Sequence, residues 1–402
     1  MNSWKYRIPE GVQDYLPEEC YNKRKIEECI RNIFFYSGYE EVETSSFEYL
    51  DVFNGDIVNI EQEKMFKIVE AGSRILVMRP DLTMPIARIA ATKLKKSTLP
   101  LRLSYISSVY RYEEIEIDKQ REIPQAGVEL IGVAHPEADA EIISMAIQIF
   151  MKLGLSGFQI DIGQVDFFKG LIEESNIESG MAEELRIMID QKNMLALKTY
   201  LQNADISDKL KDILLRLPQL YGGVEVLEEA MKLTQNSRCA EAVRNIYQVY
   251  EIIKAYGLEE YISFDLGMVQ SLNYYTGVIF RGISKNMGFP LCGGGRYDNL
   301  LSEFGYDIPA TGFAIGIKRL LIALEIQKKL KPIPSIDVLA VVDDNHKDGF
   351  KLVQTLREQG KRVEIFLPTS DNSNPITYAK QKGIEKVIQI DSAGIQELDY
   401  NP

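Results

Sequence analysis

The chain is 402 residues long and carries 46 Lys and Arg against 59 Asp and Glu, which gives a formal net charge of −13. This length exceeds what one hydrophobic core usually fills, so we expect two or three domains. The negative charge argues against a protein whose main work is holding a polyanion, because phosphate binding draws on a local excess of Lys and Arg. Hydrophobic residues at 45% and charged residues at 26% are ordinary values, so neither a disordered nor a membrane class is favoured.

Compartment and metal content follow from a few further counts. No apolar run reaches the ~18 residues of a spanning helix, and the first seven residues contain no apolar stretch that could serve as a signal peptide. The chain has two histidines and four cysteines without metal-ligand spacing, namely Cys20, Cys29, Cys239 and Cys292. We therefore expect a cytoplasmic protein with no membrane association, no metal site, no cofactor and free thiols.

The first part of the chain mixes helices and strands. Apolar residues at helical spacing predict a helix from Pro17 that Gly38 ends as a C-cap, and alternation predicts a strand from Tyr39. Further predicted elements are the strands 74–78, 101–111 and 126–133 and the amphipathic helix 137–153. Strands that arrive in runs, with helices collected elsewhere, favour an antiparallel α+β arrangement over βαβ repeats.

The predicted secondary structure changes character twice further along the chain. Residues 165–257 are almost continuous helix formers and predict a helical insertion. Strands are then predicted at 262–266 and 275–281, followed by a glycine cluster at 293–295 and a helix from 316 to about 329. After a linker rich in Lys and Pro, residues 334–402 read as strand, helix, strand, helix, strand, which predicts a small α/β domain.

Two short motifs place polar groups on predicted strands. Arg79-Pro80-Asp81-Leu82-Thr83 ends a strand with an acid and a hydroxyl, a pattern also typical of a plain Asx turn. In the second motif, residues at even spacing share a strand face, so they could meet one ligand or lie on a half-exposed face. Its members are Arg111 with Glu113, and Gln125 with Glu129. A glutamate buried there would need solvent or a donor partner.

Three further motifs follow in chain order. Asn273-Tyr274-Tyr275 places two aromatic side chains on a predicted strand, where packing is the commonest role. Cys292 to Asp298 contains three glycines that let backbone approach something closely, in neither of the familiar phosphate-loop patterns. In the segment 312–320, glycines precede a helix with Arg319 in its first turn. Each motif alone is ambiguous.

Together and in this order, the motifs resemble the catalytic core of class II aminoacyl-tRNA synthetases, specifically the histidyl-tRNA synthetase line. Arg111 and Glu113 match motif 2, and 312–319 matches motif 3. The resemblance covers about residues 5–330. It implies an antiparallel sheet flanked by helices over 1–330, interrupted by the helical insertion at about 165–257. It also implies a homodimer formed through this core, and a shortened anticodon-binding-like domain at 334–402.

The same resemblance implies a histidine pocket. In that family an acid, a hydroxyl and a glutamine hold the α-ammonium, and these correspond to Asp81, Thr83 and Gln125. The imidazole lies between a glutamate and a tyrosine, which can satisfy both ring nitrogens. The remaining residues of the implied pocket are Glu129 and Tyr275 for the imidazole, Arg111 for the carboxylate and Tyr274 as a wall.

The ATP and transfer machinery departs from the family pattern. The family carries an arginine where this chain has Gln270, and a neutral amide cannot replace a guanidinium against developing phosphate charge. The motif 2 loop, Glu113 to Lys119, is acidic where the family's loop is rich in arginine. Ser45 occupies the position of the motif 1 proline, which bears on the details of the dimer interface. The 334–402 domain shows no stripe of Arg and aromatic residues that would bind RNA.

A kept histidine pocket with a lost ATP site resembles the regulatory subunits of ATP phosphoribosyltransferase, synthetase paralogues of histidine biosynthesis. This implies a non-catalytic chain without catalytic residues, which binds and activates a short catalytic subunit in a hetero-oligomer. It also implies feedback inhibition by bound histidine and no tRNA partner. Two alternatives stay open: a divergent histidyl-tRNA synthetase that activates histidine with ATP, and a paralogue that activates an amino acid for another acceptor, since Arg111, Glu113 and Arg319 remain.

Overall fold

The structure is a computed structural model that describes residues 4–55, 61–112, 120–175, 177–269, 274–342, 347–370, 373–391 and 394–398. Packing divides the chain into two compact units, Met1–Leu330 and Lys331–Pro402. Each unit is built around its own buried residues and is described by itself.

The described part of the chain contains α-helices that we number in chain order. They are α1 Pro17–Tyr36, α2 Thr83–Thr92, α3 Pro136–Lys152, α4 Val165–Ser175, α5 Ser179–Asp190, α6 Met194–Gln202, α7 Asp208–Arg216, α8 Glu225–Leu233, α9 Ser237–Ala255, α10 Ile317–Ile326, α11 Lys347–Glu358 and α12 Pro375–Lys382. The strands are β1 Glu40–Glu41, β2 Phe47–Tyr49, β3 Lys67–Val69, β4 Ile75–Met78, β5 Leu101–Tyr110, β6 Glu122–Ile131, β7 Phe158–Gln164, β8 Tyr221–Gly222, β9 Ile262–Asp265, β10 Val278–Ser284, β11 Cys292–Arg296, β12 Ala310–Gly316, β13 Val338–Val342, β14 Val363–Ile365, β15 Val387–Asp391 and β16 Gly394–Leu398.

A nine-stranded sheet is the frame of the first unit. Its strand order is β1-β5-β6-β12-β11-β10-β7-β9-β8, and the central pairs from β5 to β7 are antiparallel. The helix α3 begins at a proline in its first turn and buries an Ala- and Ile-rich surface beneath this sheet together with α1 and α10. A smaller antiparallel sheet of β2, β4 and β3 lies in the same unit. This is the antiparallel α+β arrangement that the sequence predicts.

Several local expectations differ from the structure. The glycine cluster at 293–295, for which no strand is predicted, is the middle of strand β11 and is paired with β10 and β12 on both sides. Tyr274 and Tyr275 precede β10, which begins only at Val278. The turn at Arg79-Pro80-Asp81 leads directly into helix α2, and strand β7 was not predicted. Residues 293–295 form a strand because pairing with β10 and β12 outweighs the poor strand propensity of glycine.

The predicted insertion is helical, with α4 to α9 spanning Val165–Ala255 and the short strand β8 joining the edge of the sheet. Its apolar stripes form one continuous core with the main sheet. The second unit has the sheet order β14-β13-β15-β16, parallel except for the β15–β16 hairpin, with α11 and α12 packed against it. None of the helices seen in the described ranges is long and apolar enough to cross a membrane.

Candidate functional site

A cavity of about 260 Å³ opens where β6, β11 and β12 meet the start of α2. The seven residues that the sequence assigns to histidine binding all line it. Its lining residues are Asp81, Thr83, Met84, Arg111, Gln125, Glu129, Tyr274, Tyr275, Gly293, Gly294, Tyr297, Gly312, Phe313 and Ala314. The fold thus gathers residues from six separate stretches of the chain into one pocket. That these residues bind histidine stays a prediction.

Glu129 lines the pocket and is only 2% exposed. The Thr83 hydroxyl donates to its Oε1 at 2.9 Å, and the Tyr297 hydroxyl donates to its Oε2. Burial raises the pKa of Glu129 to about 8, although these two hydrogen bonds act in the opposite direction. The carboxyl group is therefore mostly protonated at neutral pH in the empty pocket, and an arriving cation would find a group ready to ionise.

Glycines give this carboxyl group its space. Gly312 of β12 lies directly opposite Glu129 of β6, and a Cβ there would overlap the Glu129 Oε2 atom. A Cβ at Gly294 would overlap the backbone of Gly312 and Phe313 on the neighbouring strand. Gly294 of β11 and Gly312 of β12 therefore form a flat pocket floor on which a side chain has no room.

Asp81 and Thr83 are placed by the turn before α2. Arg79 anchors this turn, since its buried guanidinium donates to the Thr44 carbonyl at 2.6 Å and the Ser108 carbonyl at 2.8 Å. The Asp81 Oδ1 accepts the Met84 N–H at 3.0 Å, as an acid at a helix N-terminus commonly does. The plain Asx-turn interpretation and the ligand-binding interpretation are thus both compatible with the same aspartate, because its side chain also lines the cavity.

An aromatic wall closes one side of the pocket. The Tyr274 and Tyr275 rings have centroids 4.7 Å apart and stand at 87°, and the Tyr274 ring lies 5.6 Å from that of Tyr297. Burial raises the pKa of each of these three phenols, so all of them carry a proton at neutral pH. Neutral phenols can donate to or accept from an imidazole nitrogen.

Arg111 and Gln125 line the pocket and also a second, adjoining cavity of about 310 Å³. The Arg111 Nε donates to the Pro80 carbonyl at 2.8 Å, which fixes the side chain. Four cationic side chains line the adjoining cavity, and its described lining contains no carboxylate; the cations are Arg111, Arg281, Lys318 and Arg319. The residues behind the expected loss of ATP chemistry, Gln270 and the loop from Glu113 to Lys119, lie outside the described residues, as does Asn273.

Sequence reasoning missed Tyr297 and the ion pair behind it. The Arg296 guanidinium donates twice to the Asp139 Oδ2, at 3.0 and 2.9 Å, and both side chains are nearly fully buried. Burial raises the pKa of Asp139 to about 6, while the guanidinium lowers it. This pair fixes the end of β11 and so the direction of the next side chain, Tyr297. The Gly-Gly-Arg-Tyr sequence marks Arg296 and Tyr297, but Asp139, the partner of Arg296, lies 157 residues away along the chain.

The pocket can hold a small molecule of defined charge pattern. Its lining combines the carboxyl groups of Asp81 and Glu129 with the Arg111 guanidinium, which suits a ligand with a cationic group, a protonatable ring and a carboxylate. Across the part of the chain that the structure describes, no three His, Cys, Asp or Glu side chains cluster to hold a metal ion.

Comparison with known proteins places this geometry in a family. The family model described as "Histidyl-tRNA synthetase" matches residues 11–320. The protein named "ATP phosphoribosyltransferase regulatory subunit" in Acetivibrio thermocellus is 46% identical over 391 residues, covering 97% of this chain and 94% of the relative. Its namesake in Clostridium acetobutylicum is 43% identical over 397 residues, covering 98% and 97%.

The chain belongs to the ATP phosphoribosyltransferase regulatory subunit family.

Solved structures agree with this assignment. A crystal structure from Bacillus halodurans C, described as an ATP phosphoribosyltransferase regulatory subunit/histidyl-tRNA synthetase, is 32% identical with a TM-score of 0.86, covering 96% of this chain and 99% of that one. Histidyl-tRNA synthetase from Nostoc sp. PCC 7120, at 21% identity and a TM-score of 0.81, shares the fold over 98% and 96% of the two chains. The predicted synthetase-like fold and the hypothesis of a regulatory subunit rather than a catalytic enzyme are confirmed at the level of the family.

Proposed function

We propose that this regulatory subunit binds free histidine in the Glu129 pocket and that occupancy feeds back on a short catalytic ATP phosphoribosyltransferase subunit in a hetero-oligomer. The observation that carries the proposal is the buried Glu129 carboxyl group, which two hydroxyls orient inside a cavity about the size of one amino acid. A buried acid with a raised pKa needs a cationic partner to ionise, and a protonatable ring supplies one.

The polar groups define one orientation for the ligand. The imidazole would lie between the carboxyl group of Glu129 and the phenol of Tyr275, each of which meets one ring nitrogen. The α-ammonium would face Asp81, with Thr83 and Gln125 beside it, and the α-carboxylate would face the guanidinium of Arg111. Tyr274 and Tyr275 would cover the ring. Every charged group of histidine then has a partner of opposite charge.

We extend the proposal to assembly. Exposed aromatic side chains at the end of α1 and on β2 support a homodimer through the synthetase-like core, because they lie in or beside residues 38–48, the stretch that resembles motif 1; they are Phe35, Tyr36, Phe47 and Tyr49. The net charge of −13 supports a chain without a tRNA partner. We assign the unit Lys331–Pro402 as the shortened anticodon-binding-like domain and the unit before it as the synthetase-like core with its helical insertion.

The test is a reconstitution with a catalytic subunit that lacks a regulatory domain of its own. Adding the chain should raise phosphoribosyltransferase activity, and histidine should lower it again. Arg111→Gln should activate normally but need roughly 10- to 100-fold more histidine for half-inhibition, because a charge-assisted hydrogen bond contributes about 1.5–3 kcal/mol. Arg102→Gln is the matched control, since Arg102 pairs with Glu141 and lines neither cavity.

Two results would contradict the proposal. Unchanged half-inhibition in Arg111→Gln would place the inhibitory histidine elsewhere. Robust histidine-dependent ATP-pyrophosphate exchange by the pure chain would instead support the divergent synthetase. The proposed homodimer is tested separately, by size-exclusion chromatography with light scattering on the same preparation.

A further inference from the structure

The helical region, α4 to α9, contacts the chain segment that carries the two pocket tyrosines. The described parts of this segment are Met268 and Val269 before the tyrosines and Tyr274 to Gly277, of which Tyr274 and Tyr275 line the cavity. Its position decides where the aromatic wall stands. Side chains from α4 and α5 hold it on both flanks.

Helix α5 holds Val269 by both of its backbone polar groups. The Arg186 Nη1 donates to the Val269 carbonyl at 2.9 Å, and the Asp190 Oδ1 accepts the Val269 N–H at 3.2 Å. Arg186 and Asp190 are four residues apart, so they project from one face of the helix. Val269 is 1% exposed, and losing either partner would leave a buried backbone group unpaired.

The two side chains are themselves oriented. The Arg186 guanidinium makes two further hydrogen bonds to the Glu183 carboxylate, at 2.9 and 2.7 Å, so its planar fork cannot rotate freely. Burial raises the pKa of Asp190, and the Val269 N–H and the Arg186 charge lower it. The contact is a preorganised clamp on one residue of the segment.

Helix α4 holds the other flank. The Lys169 Nζ donates to the Tyr275 carbonyl at 3.0 Å, and the Val165 N–H donates to the Gly277 carbonyl at 3.2 Å. Val165 also packs with Met268 in a small apolar cluster against which Tyr275 rests. Val269 on one side and Tyr275 and Gly277 on the other are thus hydrogen-bonded to the first two helices of the helical region.

From these contacts we propose that Arg186 and Asp190 are positioning residues that couple occupancy of the pocket to the helical region. The inference rests on the proposed function, because it takes histidine as the ligand. A ligand that packs against Tyr274 and Tyr275 changes the stability of the segment, and the clamp passes this change to α5. The reverse also holds, since coupling between two sites is reciprocal. Weakening the clamp therefore weakens histidine binding, although neither residue lines the cavity.

The first measurement uses the unaltered chain. Amide hydrogen exchange of the full chain with and without saturating histidine should show slower exchange across α4 and α5, with α11 of the second unit unchanged as the internal reference. Histidine binding without any change in α5 would overturn the inference while leaving the proposed function intact. Absence of histidine binding to the unaltered chain would refute the proposed function, and this inference with it.

Variants provide the second measurement. Arg186→Gln and Asp190→Asn should each weaken histidine binding about 5- to 50-fold by calorimetry and abolish the exchange effect in α5. Arg244→Gln is the matched control, because Arg244 is an exposed arginine of α9 paired with a glutamate three residues earlier. A purely structural role would lower the melting temperature equally with and without histidine, whereas coupling shrinks the histidine-induced rise. Folded variants that bind histidine like the control would overturn the inference.

Discussion

Glu129→Gln tests both the stability and the chemistry of the pocket. Gln has almost the same shape as protonated Glu, and its amide can still pair with the hydroxyls of Thr83 and Tyr297, which are donors and acceptors. The substitution therefore keeps the packing and removes only the ability to ionise. We expect it to stabilise the empty protein at alkaline pH and to abolish histidine binding.

The magnitude follows from the shifted pKa. Burial moves the pKa of Glu129 from an ordinary 4.5 to about 8, and each unit corresponds to ~1.36 kcal/mol. Below about pH 4.5 the group is protonated in both the folded and the unfolded chain, so it adds no pH dependence. Between about pH 4.5 and about pH 8 only the unfolded chain ionises, and the free energy of unfolding falls by up to ~5 kcal/mol. Because glutamine does not ionise, the Glu129→Gln variant should not show this fall in the free energy of unfolding.

Thermal unfolding from pH 5 to pH 8.5, with and without histidine, is the assay. The stability of the variant should be nearest to that of the unaltered chain at pH 5 and exceed it by about 1–3 kcal/mol at pH 8.5, since relaxation of the pocket reduces the upper limit. Glu122→Gln, on the same strand and outside both cavities, is the control. A stability difference that does not grow with pH would refute the raised pKa. A histidine-induced shift that survives in Glu129→Gln would refute the placement of the imidazole.

Two further predictions concern the same pocket. Histidine affinity should be greatest between about pH 6.5, the ordinary imidazole pKa, and about pH 8, the pKa of Glu129. Below this window the Glu129 carboxyl group must release a proton when the charged ring binds, and above it the pair must take one up. Calorimetry should therefore give a bell-shaped profile, and its alkaline limb should be missing if Glu129 is not the partner. Gly312→Ala should lower stability by about 1–3 kcal/mol and block histidine, because its Cβ would overlap the Glu129 Oε2. Gly293→Ala is the stability control, since its Cβ would meet only the Phe280 carbonyl at 3.6 Å; equal melting temperatures in the two variants would contradict the packing argument.

The residues that line the pocket could be predicted where strand geometry fixes their direction. Gln125 and Glu129 are four apart on β6, so the two-residue period of a strand turns both to one face whatever the exact register. Asp81 and Thr83 were placed through the motif alone, and helix α2 that begins beside them was not predicted. The local sequence pattern predicts the face on which a side chain lies better than it predicts the secondary-structure element that follows.

Long-range partners could not be predicted. Tyr297 reaches the Glu129 Oε2 over 168 residues, and Arg296 reaches Asp139 over 157 residues. Such pairs arise from strand order, which the sequence does not state. Strand β11 could not be predicted for the same reason. Glycine is disfavoured in isolated strands, but here the backbone of Gly312 and Phe313 on the neighbouring strand leaves no room for a Cβ at Gly294.

The raised pKa of Glu129 bears on regulation as well as on affinity. A ligand shifts an equilibrium only by its different affinity for two states, so a sensor needs an empty state that differs physically from the occupied one. With the pocket empty at neutral pH, Glu129 is mostly protonated and held by two neutral hydroxyls. An imidazole would bring the positive charge that allows the carboxyl group to ionise, and its ring would rest on Tyr275, whose carbonyl already accepts a hydrogen bond from Lys169 of α4. Charge at the pocket floor and position of the aromatic wall would then change together, and the wall is the part of the pocket that the helical region holds.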